Sequence, residues 1–393
     1  MKRRLVIKNG TILKSDRLQK TSLLLEDGVI AEDDFRGEEP EDALILDASG
    51  MIVAPGFIEI HAHGGGGYDY MDATEEAFEE IARTHLKAGT TSIMPTAVSC
   101  SREAMSRLFA LYRKVKDSEN SQINYLGLHL EGPYISQEMR GAQNPNFVHS
   151  PTREEIDSLL AEAGDVIGMC TAAPEIENMD YLSERMQRSG IVLSAGHSDA
   201  VCADIVKGYE MGFRHITHLY SNTPTVRKIN QVVYAGMREA AWLLDDMRIE
   251  LIGDGHHVPR EVLQLALKIK GADRINLTSD AMRAAGTQVS ESYLGEKLPE
   301  NRVIIEDGVA KLPDRSFYAG SIATGEEIFR WAVRDCGVSL IDASKMMSLT
   351  PAKIIGCADR KGSIRTGKDA DLIFLDNQLK VRKVIVGGNE IEL

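Results

Sequence analysis

The sequence predicts an α/β fold, a (β/α)8 or TIM barrel with a small β-sandwich domain built from both chain termini. Along the middle of the chain, eight short apolar runs alternate with segments of helical spacing. Both ends instead consist of short strand-like runs joined by turns. At 393 residues the chain exceeds the usual size of a single core. We therefore place the small domain at 1–54 and 358–393 and the barrel at 55–357.

The two chain ends share one pattern. Strands are expected at 4–8, 22–26, 29–30 and 44–47, and again at 370–376 and 380–388. Asn9-Gly10 and Asp27-Gly28 are typical of hairpin turns, whereas the acidic stretch 32–42 is expected to be a solvated loop. Neither end has enough strands for a core of its own, so we expect the two ends to form one sandwich.

The middle of the chain supplies the barrel. The eight predicted strands are 51–60, 90–95, 125–130, 166–171, 191–195, 215–219, 249–253 and 274–278. The first is followed by a predicted helix at 74–88 with Thr74 as its N-cap, and the last by a long loop and a helix at 324–336.

Composition narrows the class of protein. Hydrophobic content of 43% and charged content of 26% are ordinary for a soluble globular protein. A formal net charge of -14 argues against nucleic acid as a partner. The five cysteines are scattered without a Cys-x-x-Cys pair, as in a reducing cytoplasm. No apolar run reaches the roughly 18 residues of a membrane span. We expect a cytoplasmic protein that does not bind membranes.

Polar residues follow the predicted strands at the same position in unit after unit. In a (β/α)8 barrel the carboxyl ends of the strands meet at one mouth, so these residues are expected to be neighbours. They are His61 and His63 after strand 1, Glu131 after strand 3, His197 after strand 5, His218 after strand 6, His257 after strand 7 and Asp280 after strand 8.

Four of these histidines and Glu131 offer more ligands than one tetrahedral metal site uses. We expect His61, His63, Glu131, His197 and His218 to hold two divalent ions bridged by Glu131, with one strongly bound ion as the alternative. Zinc is the first candidate, and iron, manganese, cobalt or nickel are also compatible with these ligands.

A metal-bound water loses a proton near neutral pH and becomes a nucleophile. Asp280 is placed to act as the general base and then to carry the proton to a leaving nitrogen, or else to cap the segment after strand 8. His129 is expected in the barrel interior, or as a hydrogen-bond partner of a metal ligand.

Several motifs together resemble the N-acetylglucosamine-6-phosphate deacetylase family of the amidohydrolase superfamily. They are Leu-His-Leu-Glu-Gly-Pro at 128–133, Ser-Ala-Gly-His-Ser-Asp at 194–199, Thr-His-Leu at 217–219, Asp-Gly-His-His-Val at 254–258, Ser-Asp-Ala-Met at 279–282, Tyr-Ala-Gly-Ser at 318–321 and the tail 362–372. The resemblance covers nearly the whole chain.

The resemblance implies hydrolysis of the N-acetyl amide of an amino-sugar phosphate by a homodimer. It implies that Glu131, His197 and His218 are metal ligands and that Asp280 is the catalytic acid/base. It further implies that His257 contacts the substrate and that the backbone around Ala142, Tyr318, Ala319 and Gly320 lines the sugar. Some family members lack the first histidine pair and use one metal, so the presence of His61 and His63 favours two.

Two departures from the family concern substrate recognition. After His218 the family reads Asn-Ala-Met and then Arg-Glu-Pro-Gly, whereas this chain reads Leu-Tyr-Ser-Asn-Thr-Pro at 219–224, including Ser221 and Asn222, and Arg-Lys-Ile-Asn at 227–230. Arg227 takes the place of the phosphate-binding arginine, although it could instead decorate an exposed helix end. Gln143 stands where some relatives carry histidine.

These departures leave two alternatives. The first is an amidohydrolase for another N-acetyl amino-sugar phosphate or another acyl-amide, and the second is a metal-binding scaffold without turnover.

Overall fold

The N-terminal strands form two sheets. The structure is a computed structural model and describes residues 3–118 and 121–392. Its first strands are β1 (Arg4–Lys8), β2 (Thr11–Leu13), β3 (Leu18–Lys20), β4 (Ser22–Glu26), β5 (Val29–Phe35), β6 (Leu44–Asp47) and β7 (Ile52–Pro55). Strands β5, β4, β1 and β6 lie side by side in one sheet, and β7, β2 and β3 belong to a second sheet.

The barrel follows as strands that alternate with helices. The elements are β8 (Phe57–Ala62), the short ladder of β9 (Gly64–Gly65) and β10 (Tyr68–Asp69), α1 (Glu75–Lys87), β11 (Thr90–Ala97), α2 (Arg102–Val115), β12 (Asn124–Tyr125), β13 (Leu128–Glu131), α3 (Arg153–Ala163), β14 (Ile167–Ala172), α4 (Met179–Arg188), β15 (Val192–Ala195), α5 (Cys202–Met211), β16 (His215–Ile216), the hairpin of β17 (Arg227–Ile229) and β18 (Val232–Tyr234), α6 (Met237–Leu243), β19 (Arg248–Ile252), α7 (Arg260–Lys270) and β20 (Ile275–Thr278).

The rest of the chain covers the barrel and returns to the small domain. These elements are the antiparallel sheet of β21 (Glu291–Tyr293), β22 (Arg302–Glu306) and β23 (Val309–Lys311), then α8 (Gly325–Arg334), α9 (Leu340–Ser344), a π-helical turn at Lys345–Leu349, α10 (Thr350–Ile354), β24 (Leu372–Leu375), β25 (Val381–Val386) and β26 (Asn389–Ile391).

The parallel sheet runs β8, β11, β13, β14, β15, β16, β19, β20, and β12 pairs with the first half of β11. Its two edges meet through a parallel bridge between Ala62 and Ala281 and through the amide of Asp280, which donates to His61 O at 3.1 Å. The predicted (β/α)8 barrel is confirmed.

The small domain draws on both chain ends, as predicted. Strands β24, β25 and β26 join β7, β2 and β3 in one six-stranded sheet. Ile7 and Leu25 from the N-terminal sheet pack with Val53, Phe374 and Ile385 of this sheet in one buried cluster. The domain boundaries at 54/55 and 357/358 stay a prediction.

Three local predictions need correction. The run 51–60 is two strands, because β7 pairs with β24 of the small domain while β8 pairs with β11 of the barrel. Part of the acidic stretch 32–42 is strand, since β5 continues to Phe35 beside β4. Of 215–219 only β16 joins the ladder, and the chain then turns sharply, with His218 at a φ of 27°.

Of the two predicted hairpin turns, one joins paired strands and the other does not. Asp27 and Gly28 both have positive φ and connect the antiparallel strands β4 and β5, as a hairpin turn requires. Asn9-Gly10 instead carries the chain from β1 in one sheet to β2 in the other. Thr74 caps α1 as predicted, because its side chain accepts from the amide of Ala77.

In the part of the chain that the structure describes, no helix combines the length and the apolar character needed to cross a lipid bilayer.

Candidate active site

The strand ends bring six of the predicted residues together as two groups of three buried side chains. The first triad is His61, His63 and Asp280, and the second triad is Glu131, His197 and His218. In the second triad, Oε1 of Glu131 lies 2.7 Å from Nε2 of His218 and 3.0 Å from Nε2 of His197. In the first triad, Oδ1 of Asp280 lies 3.1 Å from Nε2 of His63 and 3.5 Å from Nε2 of His61.

All four imidazoles point the same nitrogen into the site. Each Nδ1 faces an oxygen acceptor: Glu250 Oε1 at 2.8 Å for His61, Thr96 O at 3.3 Å for His63, Met139 O at 2.8 Å for His197 and Ser221 O at 3.2 Å for His218. Carbonyl and carboxylate oxygens only accept, so Nδ1 carries the proton in each ring. In the neutral ring, each Nε2 then presents a lone pair to the centre of the site.

The donor set fits a divalent metal ion. Within the described residues, His61 Nε2 and Asp280 Oδ1 are buried without a hydrogen-bond partner. Around an ion bound at about 2.1 Å, tetrahedral ligand atoms are roughly 3.4 Å apart. The first triad, at 3.1 and 3.5 Å, is close to this spacing, and the second triad, at 2.7 to 3.1 Å, is tighter. Glu131 also links the triads, since its Oε1 lies 3.4 Å from His61 Nε2 and its Oε2 lies 3.4 Å from His63 Nε2. Nitrogen and carboxylate donors are common to several divalent metals, so the set does not select one of them.

Burial and charge shape the acidity of these groups. Burial opposes ionisation of Glu131, but the charges of His61 and His197 and the hydrogen bonds of His197 and His218 hold its pKa well below its usual range. Burial likewise opposes ionisation of Glu250, yet the charge and hydrogen bond of His61 lower its pKa to about 2. The base of the site therefore contains ionised carboxylates that can offset the charge of a cation.

Asp280 is fixed by its backbone. Its amide donates to His61 O, and its carbonyl accepts from the amide of Ser321 at 2.8 Å. The following residue, Ala281, forms bridges with Ala62 and Ser321 instead of starting a helix, so the N-cap alternative for Asp280 is wrong. The side chain belongs to the first triad, where it can act as a ligand or as an acid/base.

His129 lies inside the barrel, which was the first of its two predicted places. Its Nε2 is 2.8 Å from Thr171 Oγ1, and its ring contacts the ring of His61 edge-on at 4.7 Å.

A cavity of about 390 Å³ opens above the triads. Its buried base contains triad residues and its exposed mouth contains part of the loop after β23. Eight of the predicted substrate-contact residues line it, namely Ala142, Gln143, Ser221, Asn222, His257, Tyr318, Ala319 and Gly320, and Leu294, Arg315, Ser316 and Phe317 complete the lining with five of the six triad residues.

Gln143 contacts the carboxylate of Glu131 as well as the cavity. Its Nε2 donates to Glu131 Oε2 at 2.9 Å, and its Oε1 accepts from the amide of Ser99 at 2.8 Å. Because a backbone N–H can only donate, the contact with Ser99 fixes which end of the Gln143 amide faces Glu131.

His257 is oriented by a neighbour that the sequence also contains. Its Nδ1 lies 2.7 Å from Asp254 Oδ2, and its ring contacts the ring of Tyr318 at 4.8 Å. The other ring nitrogen remains for the cavity that His257 lines.

Arg227 lies outside the cavity lining. It begins β17, not a helix end, and its guanidinium donates to the carboxylate and to the carbonyl of Asp199. The alternative of a decorated helix end is therefore wrong, and the structure does not bring Arg227 to the triads of its own chain.

Sequence reasoning missed four residues around the site: Glu59, Glu250, Asp254 and Arg315. Glu59 accepts from the amide of His61 at 3.1 Å and of Ser279 at 2.9 Å, and burial raises its pKa to about 7. A signal existed for Glu59 and Glu250, because each is a carboxylate within an apolar run, and a buried carboxylate needs partners. Asp254 lies within the motif Asp-Gly-His-His-Val at 254–258, whereas nothing in the sequence marks Arg315.

The chain is similar to known proteins over nearly its whole length. The sequence profile of the Amidohydrolase family matches residues 52–391. The N-acetylglucosamine-6-phosphate deacetylase of Lysinibacillus sphaericus is 31% identical over 385 residues, which are 98% of this chain and 97% of the relative.

Two solved structures are similar over their whole length. The N-acetylglucosamine-6-phosphate deacetylase of Pasteurella multocida matches with a TM-score of 0.90 at 27% identity and covers 99% of both chains. A mutant of the deacetylase from Mycobacterium smegmatis, in complex with N-acetyl-D-glucosamine-6-phosphate, matches with a TM-score of 0.87 at 26% identity and also covers 99% of both chains. The resemblance noted in the sequence is confirmed.

Proposed function

This chain belongs to the amidohydrolase family and is a hydrolase, and we propose that it cleaves the N-acetyl amide of N-acetylglucosamine 6-phosphate with water, releasing acetate and glucosamine 6-phosphate. The observation that carries the proposal is the pair of buried triads at the base of a cavity that can hold a sugar. The substrate acted on by the similar enzymes, and bound in one of the similar structures, supports the choice of sugar.

The proposed hydrolysis uses a divalent ion together with the side chain of Asp280. A divalent ion would supply a Lewis acid for the amide carbonyl and a water of lowered pKa. Asp280 takes a proton from the attacking water and delivers it to the leaving nitrogen. Its unpartnered Oδ1 in the first triad supports this role.

We assign the metal to His61, His63, Glu131, His197 and His218, with two ions as the first expectation and zinc as the first candidate. The two separate triads support two positions. The one-ion alternative places a single ion in the second triad, which is the more compact of the two.

The sugar is assigned to the cavity lining. His257 binds a hydroxyl or the acyl oxygen through the nitrogen that Asp254 leaves free, and the backbone of Ala142, Tyr318, Ala319 and Gly320 shapes the pocket. Ser221, Asn222 and Gln143 complete the contacts. The positions of these residues around the cavity support the assignment.

Arg227 remains a sequence-based candidate for the phosphate. Because its guanidinium is bound to Asp199, contact with a substrate would require rearrangement or the cavity of a second subunit. A homodimer is the assembly proposed for this protein, and the exposed apolar side chains of the β17–β18 hairpin support it. A cytoplasmic location is also proposed, and the five free cysteines are consistent with a reducing compartment.

A substrate panel tests the function. Purified protein would be loaded with zinc, manganese, cobalt, nickel or iron, and acetate release would be measured from N-acetylglucosamine 6-phosphate, its galactosamine analogue, the unphosphorylated sugars and simple acyl-amides. We expect the highest kcat/KM for the glucosamine phosphate. Preference for another amide would replace the substrate, and absence of turnover with every metal would favour the non-catalytic scaffold.

A further inference from the structure

The inference concerns the anionic end of the substrate and rests on the proposed function. In a hexosamine 6-phosphate, the 2-amide and the 6-phosphate lie on opposite sides of the ring. A sugar with its amide at the buried triads therefore presents its phosphate toward the exposed mouth of the cavity. Phosphate binding requires donors at that mouth, and a guanidinium supplies them in a geometry that suits phosphate.

Arg227 does not meet this requirement within its own chain. It is absent from the cavity lining, and Asp199 takes hydrogen bonds from both terminal nitrogens of its guanidinium. The hydrogen bond to Asp199, together with the charge of that carboxylate, raises the pKa of Arg227 above its usual value. Arg227 is therefore not placed at the mouth of the cavity of its own chain.

Arg315, unlike Arg227, lines the cavity at its mouth. Among the described residues that line the cavity, Arg315 is the only one that is a lysine or an arginine. It lies in the loop after β23, where the amide of Leu312 donates to Phe317 O at 2.9 Å and Arg315 itself adopts a φ of 62°. This tight loop carries the guanidinium at the mouth.

A carboxylate orients this guanidinium from one side. Nε and Nη2 of Arg315 donate to the two oxygens of Glu306 at 2.9 and 3.1 Å. The hydrogen bonds of Arg315 and Lys311 lower the pKa of Glu306 to about 2, so Glu306 stays ionised at neutral pH. The paired fork leaves Nη1 of Arg315 outside the contact with Glu306, so this nitrogen is the donor that a phosphate can use while Glu306 stays in place.

We propose that Arg315 binds the phosphate of the substrate from the same chain and thereby selects phosphorylated over unphosphorylated amino sugars. Glu306 preorients the guanidinium before the substrate enters. Arg315 is thus a specificity-determining residue at the mouth and takes no part in bond cleavage at the triads.

Substitution of Arg315 tests the proposal. For Arg315→Ala we expect KM for N-acetylglucosamine 6-phosphate to rise about 10-fold, the effect of losing one charged hydrogen bond. KM for N-acetylglucosamine and kcat for both sugars should change little. Arg315→Lys should recover part of the preference, because a point charge replaces the fork.

Arg302→Ala is the matched control. Arg302 is also an exposed arginine paired with a glutamate, Glu291, and lies on β22 of the same small sheet, but outside the cavity lining. Arg302→Ala should leave KM unchanged for both N-acetylglucosamine 6-phosphate and N-acetylglucosamine. Arg227→Ala tests the rival residue in the same assay.

The outcomes separate this inference from the proposed function. Turnover of the phosphorylated sugar with an unchanged KM in Arg315→Ala overturns the inference but not the function, and so does a phosphate preference that only Arg227→Ala removes. If the wild type releases no acetate from either sugar, the function fails. In that case, calorimetric titration with glucosamine 6-phosphate and with glucosamine tests the inference. The wild type should bind the phosphorylated sugar more tightly, and Arg315→Ala should abolish this preference.

Discussion

The two triads hold similar side chains in different ways. In the first triad, the Nδ1 contacts of His61 and His63 go to Glu250 and Thr96, which lie on barrel strands. In the second triad, the Nδ1 contacts of His197 and His218 go to the carbonyls of Met139 and Ser221 in loops. Both histidines of the second triad also have positive φ, which the first pair does not.

This difference separates geometry that the sheet fixes from geometry that the loops fix. The Nδ1 partners of the first-triad imidazoles lie on strands, and one of them is a buried carboxylate that would make His61 a more basic ligand. The second triad is more compact, with its two Nε2 atoms 3.1 Å apart, but depends on turns that follow β15 and β16. We therefore expect substitutions to affect the two proposed metal positions unequally.

The largest effect is expected for Asp280→Asn. Turnover should fall by about two to four orders of magnitude, because a positioned acid/base is lost. Metal content measured by mass spectrometry should stay near the wild-type value. Loss of one metal would instead make Asp280 a ligand of the first triad, and retained activity would remove its proposed role altogether.

Removal of both first-triad imidazoles should separate the two positions. His61→Ala combined with His63→Ala should lower the metal content by about one ion per chain, since the second triad keeps its three ligands. His129→Gln is the control, because its ring touches His61 while its nitrogen faces Thr171. An unchanged count would contradict the two-metal proposal, and a drop to zero would mean that the triads form one site.

Glu250→Gln should weaken the first position more than the second, because Glu250 faces the ring of His61 at 2.8 Å but accepts only from the backbone amide of His218, at 3.2 Å. The substitution removes the charge behind His61, and the metal affinity of the first position should fall by about 10- to 100-fold, as is usual for the partner of a metal ligand. Competition with a chelator would measure both affinities.

Glu59→Gln is the matched control for Glu250. It is a second buried carboxylate, but it accepts from the amide of His61 and not from the ring. Equal weakening of both metal positions by Glu250→Gln would show that the carboxylate supports the barrel as a whole.

The smallest effect is expected for Gln143→Leu. Without the donor to Oε2, Glu131 can rotate away from its place between the triads, and we expect a fall of about 3- to 10-fold in kcat and in metal affinity. Gln137→Leu, in the same loop and bonded to the carbonyls of Pro145 and Val148, is the control. A change in KM alone would return Gln143 to substrate binding.

The fold class and the members of the triads could be predicted from the order of residues along the chain. Alternating strand and helix periods fix a barrel, and a barrel brings strand ends together whatever the loops do, so His61, Glu131 and Asp280 could be predicted as neighbours. Contacts such as Glu250 with His61, Gln143 with Glu131 and Arg227 with Asp199 could not. They join residues distant in sequence through the direction of single side chains, which packing and loop conformation decide. For the same reason only the tertiary structure placed Arg315, an unmarked residue of a surface loop, at the mouth of the cavity.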